Sequence, residues 1–444
     1  MSATPARLCA YKVLRRVFED GAYADRAFRA EAGRAALSGR DRAFAMRLAY
    51  GAVQMKGTLD YVLATLARRP LEKLDPPVLA ALRLGLYELL FAGGTPARAA
   101  VNESVELVKQ ERPHAHAFVN AVLRRACREA PLMLDALDDG TPAGAALVYS
   151  HPQWIAERWW SELGPDEARA LMQNDNEPAE SSVRANRLRT TAAALVELLD
   201  GEGVEARTDP LAPEAVVLSG AWDAHGSESF ERGLLMPQSR ASMLVARALD
   251  PRPGERVLDL CAAPGAKTTH LAALMQNEGR VVAVEQDRRR AEAIRANCSR
   301  LGVTNVEVVV GDAAESAYGD GFDRVLVDPP CSDLGTLQSR PDVRWRKTAG
   351  QVENLRALQA RMLAAGASAT APGGTLVYST CTISAAENQR QVEDFLDRHA
   401  DFQACDLSAR HPRLALTGDR AFLQTLPHRD RTDGFFIAAV ERMQ

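Results

Sequence analysis

From residue 255 onward, short β-branched runs alternate with helical stretches, and this alternation constrains the fold more than any other feature of the chain. The runs lie at 256–260, 281–285, 306–310, 324–328 and 375–379, and residues 435–440 add a sixth near the C-terminus. Helical segments at 267–276, 288–301, 351–369 and 385–398 separate most of them. Such a pattern predicts a parallel sheet with helices on both faces. Ligands of these sheets bind beyond the carboxyl ends of the strands, so the residues that follow each run come first.

The first run ends in L-D-L-C-A-A-P-G-A-K, residues 258–267. Its small residues let the backbone approach a ligand closely. It is not the G-x-G-x-x-G that a dinucleotide's pyrophosphate favours. S-adenosylmethionine carries no phosphate, so a looser glycine requirement suits it. The second run ends in Glu285, twenty residues after Gly265, where a carboxylate can accept from both ribose hydroxyls. The third leads to Asp312, which can accept from an adenine amino group. Together these acidic positions favour a nucleoside cofactor, although each alone is an ordinary loop residue.

Two later strand ends carry D-P-P-C-S at 328–332 and S-T-C-T at 379–382. In an open parallel sheet both lie on the cofactor side, which predicts that Asp328, Cys331 and Cys381 converge. Carbon 5 of cytosine is a poor nucleophile. A thiolate adding to carbon 6 makes carbon 5 enamine-like, so that it can attack a sulfonium methyl. A carboxyl group at N3 supports the charge that develops, and a base must later remove the carbon 5 proton. A lone cysteine after a strand is usually a small buried hydrophobe; two of them beside a cofactor turn point to chemistry. An adenine N-methyltransferase would place Tyr or Phe after Asp-Pro-Pro, where this chain has Cys331.

The N-terminal part reads differently. Residues 1 to about 135 show apolar residues at helical spacing, as in Val78, Leu82, Leu86 and Leu89, with short breaks at Pro76, Gly93 and Pro113. A compact helical bundle follows. Residues 1–130 hold 21 Lys+Arg against 13 Asp+Glu, which is +8; the whole chain is −4, so the rest carries −12. A basic module on an acidic body suits an anionic partner. Arg124 and Arg125, after the last apolar stripe, are candidates to face it. Residues 136–235 read as a linker with a short helical pair, then a small α/β module with strands near 182–185, 204–208 and 215–218 and a helix near 192–199. Seven cysteines without C-x-x-C or zinc-ligand spacing argue against disulfides and structural zinc, and no metal is expected. No run of eighteen apolar residues occurs, and the expected location is cytoplasmic.

On these segments the sequence resembles the RNA 5-methylcytosine methyltransferases. LDLCAAPGAKTTHLA at 258–272, VLVDPPCSDLGTL at 325–337, RPDVRW at 340–345, TLVYSTCTISAAENQ at 375–389 and DGFF at 433–436 carry the resemblance. VNESVELVK at 101–109 and FVNAVLRR at 118–125 resemble the antitermination factor NusB, as in the bacterial branch that acts on 16S ribosomal RNA. The resemblance implies a multidomain protein: an all-α NusB-like RNA-binding domain at 1–135, a linker and small α/β RNA-binding module at 136–235, and a Rossmann-like α/β methyltransferase domain at 236–444. It implies Cys381 as nucleophile, Cys331 as the cysteine that assists release, and Asp328 against the base. Cofactor contacts fall to Cys261, Ala262, Ala263, Pro264, Gly265, Ala266, Lys267, Glu285, Asp312 and Asp328, with S-adenosylmethionine as donor and S-adenosylhomocysteine as product. The implied partner is 16S ribosomal RNA before full subunit assembly, with no membrane; the oligomeric state is not readable from the sequence, a monomer being favoured. A transfer RNA or another ribosomal cytosine is the alternative substrate. An RNA-binding assembly or antitermination-like factor with a decayed methyltransferase domain is the alternative of another class. The chain departs from the family pattern at Ala266, where the family has glycine, and at Ser239, where it has Asp or Glu after the glutamine; the alanine is expected to be tolerated, with weaker cofactor binding as the alternative, and the contribution of the acidic residue is open at the second.

Overall fold

The computed structural model describes residues 3–109, 111–220, 222–315, 318–409 and 421–444. The chain divides into two compact units, Met1–Pro178 with Leu337–Lys347, and Ala179–Thr336 with Thr348–Gln444.

The described part of the first unit is helical. Its core is built from Leu14, Leu48, Leu59, Leu63, Leu82, Leu86 and Leu123, each fully buried. The helical spacing read from the sequence is realised in Pro76–Tyr87, Ala97–Lys109 and His116–Asp135. Three further helices, Pro142–Val148, Gln153–Leu163 and Pro165–Asn174, follow, where the sequence suggested a linker and a pair. Residues 337–347 lie in sequence between elements of the second unit yet pack with the first. The guanidinium of Arg344 is fully buried there, donating to the carbonyls of Ser150 (3.1 Å) and Asp175 (2.9 Å) and to Asn176 Oδ1 (2.8 Å). Trp345 Nε1 donates to the Val53 carbonyl at 2.7 Å. The buried guanidinium thereby takes up carbonyl acceptors that helix ends leave open.

The second unit holds two sheets. The smaller contains β1 (Ser181–Ala185), β2 (Ala206–Thr208), β3 (Ala215–Leu218) and β4 (Leu235–Pro237), antiparallel in the order β2-β3-β1-β4. Helix Ala192–Gly201 packs on it through Leu195 and Leu199. The larger sheet contains β5 (Arg256–Asp259), β6 (Arg280–Glu285), β7 (Val306–Val310), β8 (Phe322–Val327), β9 (Thr370–Thr380), β10 (Phe402–Ala404), β11 (Phe422–Gln424) and β12 (Phe436–Arg442). Its order is β10-β12-β9-β8-β5-β6-β7, with β11 on β12.

Strands β7, β6, β5, β8 and β9 are parallel. Strand β12 is antiparallel to β9, with Phe436 opposite Thr380 and Glu441 opposite Thr375, so the parallel sheet expected from the sequence holds for five strands and the added C-terminal strand runs the other way. The chain comes into β12 from the end of the sheet where β9 finishes, which needs no crossover helix. The order reverses at β5, whose neighbours are β6 on one side and β8 on the other. A crevice at the carboxyl end of such a switch point is where doubly wound sheets bind ligands.

Candidate active site

The turn after β5 is shaped by one glycine. Gly265 has φ +97°, a left-handed value that disfavours a side chain, and a Cβ there would stand 3.3 Å from the Cα of Ile294. Ala266 follows as the first residue of helix Ala266–Leu274. Helical backbone suits alanine, so the methyl that replaces the family's glycine causes no strain. Ser239, at the other departure, caps helix Arg240–Leu249 by accepting from Ser242 N. Gln238 beside it accepts from Arg184 at 2.5 Å and donates to Ser242 Oγ at 3.1 Å.

The acidic residues lie on successive strand ends, as the spacing predicts. Glu285 is buried at the end of β6, and its Oε1 accepts from Asp287 N at 2.9 Å. Asp312 follows β7, and its Oδ1 accepts from Ala314 N at 2.8 Å. Both carboxylates thus have backbone hydrogen bonds that fix them and lone pairs left over. Cys261 is packed instead, its Sγ 3.9 Å from Met362 Sδ, and burial pushes its thiol well above the ordinary range. Asp259, within β5, is fully buried; burial pushes it up to about 6 against the hydrogen bond from Thr268 at 2.7 Å.

The strand ends of β8 and β9 bring the remaining predicted residues together. Asp328 Oδ2 accepts from Lys267 Nζ at 2.8 Å, and Oδ1 accepts from Ser379 Oγ at 2.6 Å. Burial opposes the charge on Lys267, but Asp328 outweighs it and the ammonium is held above its usual range. The ammonium also lies 5.0 Å from the ring centre of Phe435. Cys331 and Cys381 stand with their sulfurs 3.3 Å apart, both as free thiols. Cys381 Sγ donates to Asp333 Oδ1 at 3.1 Å. The Cys381 thiol is pushed well above the ordinary range, first by its hydrogen bond with Cys331, then by burial and by the charges of Asp333 and Asp328.

Several residues of this cluster were not singled out from sequence. Glu387 is fully buried and joins the two cysteine loops. Its Oε1 accepts from Ser332 N (2.9 Å) and Gln359 Nε2 (3.1 Å), and its Oε2 accepts from Ser332 Oγ (2.5 Å). Ser332 Oγ in turn meets Thr382 Oγ1 at 2.6 Å. Asn388 accepts from Thr380 Oγ1 at 2.5 Å and donates to the Thr382 carbonyl at 2.9 Å. Gly335 N donates to the Cys381 carbonyl (3.0 Å), and Gly434 N donates to the Gly335 carbonyl (2.7 Å). A Cβ on Gly335 would fall 1.9 Å from the Gly434 oxygen, and one on Gly434 would fall 2.9 Å from the Gly335 Cα, so the glycine of D-G-F-F at 433–436 faces another.

The helical unit carries a separate feature, an open groove of about 630 Å³ between helices Ala97–Lys109 and His116–Asp135. Arg98 and Asn102 on the first helix and Asn120, Arg124 and Arg128 on the second line it, with no acidic side chain among the lining residues. The spacing of four puts each set on one helix face. Arg125 points elsewhere and pairs with Glu129 at 2.8 Å.

A switch-point crevice with a small-residue turn, acidic residues on the next two strands and D-P-P on the fourth defines a Rossmann-like methyltransferase. Residues 246–441 match the family described as 16S rRNA methyltransferase RsmB/F, residues 4–128 match the NusB family, and residues 151–225 match the ferredoxin-like domain of RsmF/B-like methyltransferases. The chain is 35% identical over 448 residues to the probable ribosomal RNA small subunit methyltransferase B of Bacillus subtilis (strain 168), covering 100% of each. It is 37% identical to a putative methyltransferase of Mycobacterium tuberculosis, over 99% of this chain and 97% of the relative. Among solved structures, that of PH0851 superposes with a TM-score of 0.87 at 27% identity over 100% of both chains. A methyltransferase homolog from Pyrococcus horikoshii gives a TM-score of 0.60 at 30% identity over 70% of this chain and 99% of its own. The protein belongs to the RsmB/F family of 16S rRNA methyltransferases.

Proposed function

We propose that this protein methylates carbon 5 of a cytosine in 16S ribosomal RNA, using S-adenosylmethionine and a covalent adduct on Cys381. The observation that carries the reading is the pair of free thiols 3.3 Å apart at the ends of adjacent strands, beside Asp328 and the turn after β5. Family membership and the small-subunit rRNA named for the relatives support the substrate.

The residues present fit the donor. The close backbone approach at Gly265 leaves a turn without bulky side chains, and Glu285 and Asp312 retain acceptor capacity for ribose hydroxyls and an adenine amino group. The turn from Cys261 through Ala262, Ala263, Pro264, Gly265 and Ala266 to Lys267 would hold the donor with Glu285, Asp312 and Asp328. When bound, S-adenosylmethionine supplies an electrophilic methyl group for carbon 5. Cys381 adds to carbon 6 of the cytosine, which moves the electron pair of the 5,6 double bond toward carbon 5. Asp328, held by Lys267 and Ser379, faces the polar edge of the base. Cys331 assists loss of the carbon 5 proton, after which the bond from Cys381 to carbon 6 breaks.

The test separates the thiols. With unmodified 16S ribosomal RNA and donor, Cys381→Ala should be inactive and free of adduct. Cys331→Ala should accumulate a methylated RNA–protein complex that survives denaturing electrophoresis. The double variant should show none. A stable complex with Cys381→Ala and not with Cys331→Ala would reverse the assignment. Full activity in both variants would end the covalent mechanism.

The groove of Arg98, Arg124 and Arg128 suits an RNA backbone by charge, and we assign it to substrate binding.

A further inference from the structure

We propose that Asp333 is a catalytic residue, the base that receives the Cys381 proton as the thiol attacks. The inference rests on the covalent reading above and adds a group to it.

The geometry is specific. Asp333 lies two residues after Cys331, and its Oδ1 accepts from Cys381 Sγ at 3.1 Å. The carboxylate is aimed by an unusual backbone, φ +59°, in the left-handed region that aspartate tolerates better than most side chains. The turn is closed by its own hydrogen bonds: Thr336 N and Thr336 Oγ1 both donate to the Asp333 carbonyl, at 3.0 and 2.9 Å. Gly335 N donates to the Cys381 carbonyl, so the turn that presents Asp333 is tied to the loop that presents the thiol. Cys331 Sγ lies 3.3 Å from the sulfur of Cys381, and either thiol can be the donor of that contact.

The charges that face Cys381 make a base necessary. They are Asp333 and Asp328, with Lys267 the cation that also acts on it and Cys331 the neighbouring thiol. Lys267 is engaged with Asp328 at 2.8 Å. The surroundings therefore keep the resting thiol protonated, and attack requires the proton to leave as the bond forms. In the step proposed, the S–H bond breaks and its proton passes to Asp333 Oδ1. The sulfur pair forms the bond to carbon 6, and the 5,6 π pair moves to carbon 5 and takes the methyl from the bound donor, whose methyl–sulfur bond breaks with its electron pair to leave S-adenosylhomocysteine. On release Cys331, having first given its own proton to solvent, takes the carbon 5 proton. The 5,6 double bond re-forms, the bond from sulfur to carbon 6 breaks, and Asp333 returns its proton to the departing thiolate. No oxidant or further reactant is needed.

The experiment uses the full chain in a Cys331→Ala background, where adduct accumulates and its formation can be timed in a single turnover with unmodified 16S ribosomal RNA. Asp333→Asn keeps the shape and the left-handed backbone but cannot take a proton; Asp333→Gly, which suits that backbone, is the second variant. Adduct formation at pH 7 should slow by about 100-fold or more in both, the usual scale for loss of a positioned base. The RNA concentration for half-maximal rate should be unchanged, and the rate should recover as pH rises. Alkylation of Cys381 by iodoacetamide, which reads the thiolate alone, should be as fast as before or faster, since a repelling carboxylate is gone. Unchanged adduct formation would overturn the proposal. So would equal slowing of adduct formation and alkylation, which would mean that the thiol had merely been displaced. Absence of adduct in Cys331→Ala itself, with Asp333 intact, would instead overturn the covalent reading and the proposal with it.

Discussion

Glu387→Ala should loosen both cysteine loops, and the hydrogen bonds around Glu387 give the size of the effect. The carboxylate accepts from three donors on two other segments: Ser332 N, Ser332 Oγ and Gln359 Nε2. Truncation leaves the Ser332 amide and one N–H of Gln359 without their partner in a buried place, while the other N–H of Gln359 keeps the Pro330 carbonyl at 3.0 Å. Ser332 Oγ can still donate to Thr382 Oγ1, 2.6 Å away. Each stranded buried donor costs about 1–3 kcal/mol, and relief from burying a carboxylate offsets part of the sum, so the expected loss is about 2–4 kcal/mol. For a unit of this size the melting temperature should fall by roughly 4–16 °C. Glu387→Gln is the informative partner. Its amide oxygen can accept from Ser332 N and Gln359, and its amide nitrogen can donate to Ser332 Oγ, which then donates to Thr382. The contacts to Ser332 N, Ser332 Oγ and Gln359 are all kept, and the cost should stay below about 1 kcal/mol. Calorimetric melting of the two variants beside the parent protein reads the difference, and turnover on 16S ribosomal RNA should follow the same order. If alanine and glutamine melted within about 1 kcal/mol of each other, the clamp argument would be wrong.

Two other predictions follow from separate parts of the molecule. Changing Arg98, Arg124 and Arg128 together to Gln should weaken binding to 16S ribosomal RNA and lower the magnitude of its log–log salt slope by about 2, from three lost contacts at ~0.7 each; an unchanged slope would remove the groove from the interface. His270 is fully buried, and burial, then Arg184, lowers its pKa to about 4 from 6.5 against the pull of Glu214. Between these values the unfolded chain binds the extra proton and the folded one does not. Stability therefore rises with pH across this window and falls by up to about 3 kcal/mol on acidification through it. Denaturant titrations at pH 7 and 4.5 should show this loss, and His270→Gln should reduce it.

What the sequence revealed and what it hid have physical reasons. Central parallel strands are buried on both faces and read as continuous β-branched runs, so β5, β6 and β8 stood out; β7, at the sheet edge and half-exposed, stood out only because four of its five residues are valine. The residues at their ends could be placed from this, and the structure brings Asp328, Cys331 and Cys381 together and puts Glu285 and Asp312 at the ends of β6 and β7. The direction of β12 was not legible, because a buried strand looks the same whichever way it runs. Strand β9 begins at Thr370 rather than 375 because Pro372, Gly373 and Gly374, which read as a break, fall where its pairing with β8 slips register. Strand β4 is three residues ending in Pro237, too short to show alternation. Glu387 and Asp333 were hidden for another reason. A charged residue in a loop reads as solvated, and only tertiary structure shows that one is fully buried and that the other meets a thiol. The packing of 337–347 with the helical unit likewise depends on Arg344 finding acceptors far away in sequence.

The electrostatics of the site bear on when Cys381 becomes reactive. Nucleophilic cysteines are commonly activated in advance by a nearby cation. Here the nearby ammonium, Lys267, is engaged with Asp328, while Asp333 and a second thiol face the sulfur. Such an arrangement disfavours a standing thiolate. Two sulfurs 3.3 Å apart would otherwise be exposed to oxidation, which proceeds through the thiolate. Keeping the proton on Cys381 until a pyrimidine is in place protects the pair. It also couples attack to the substrate, because the proton leaves only as carbon 6 offers the sulfur a bond. In the mechanism proposed, the carboxylate that suppresses the resting thiolate also accepts its proton, and for that reason the alkylation and adduct rates of Asp333→Asn should move apart.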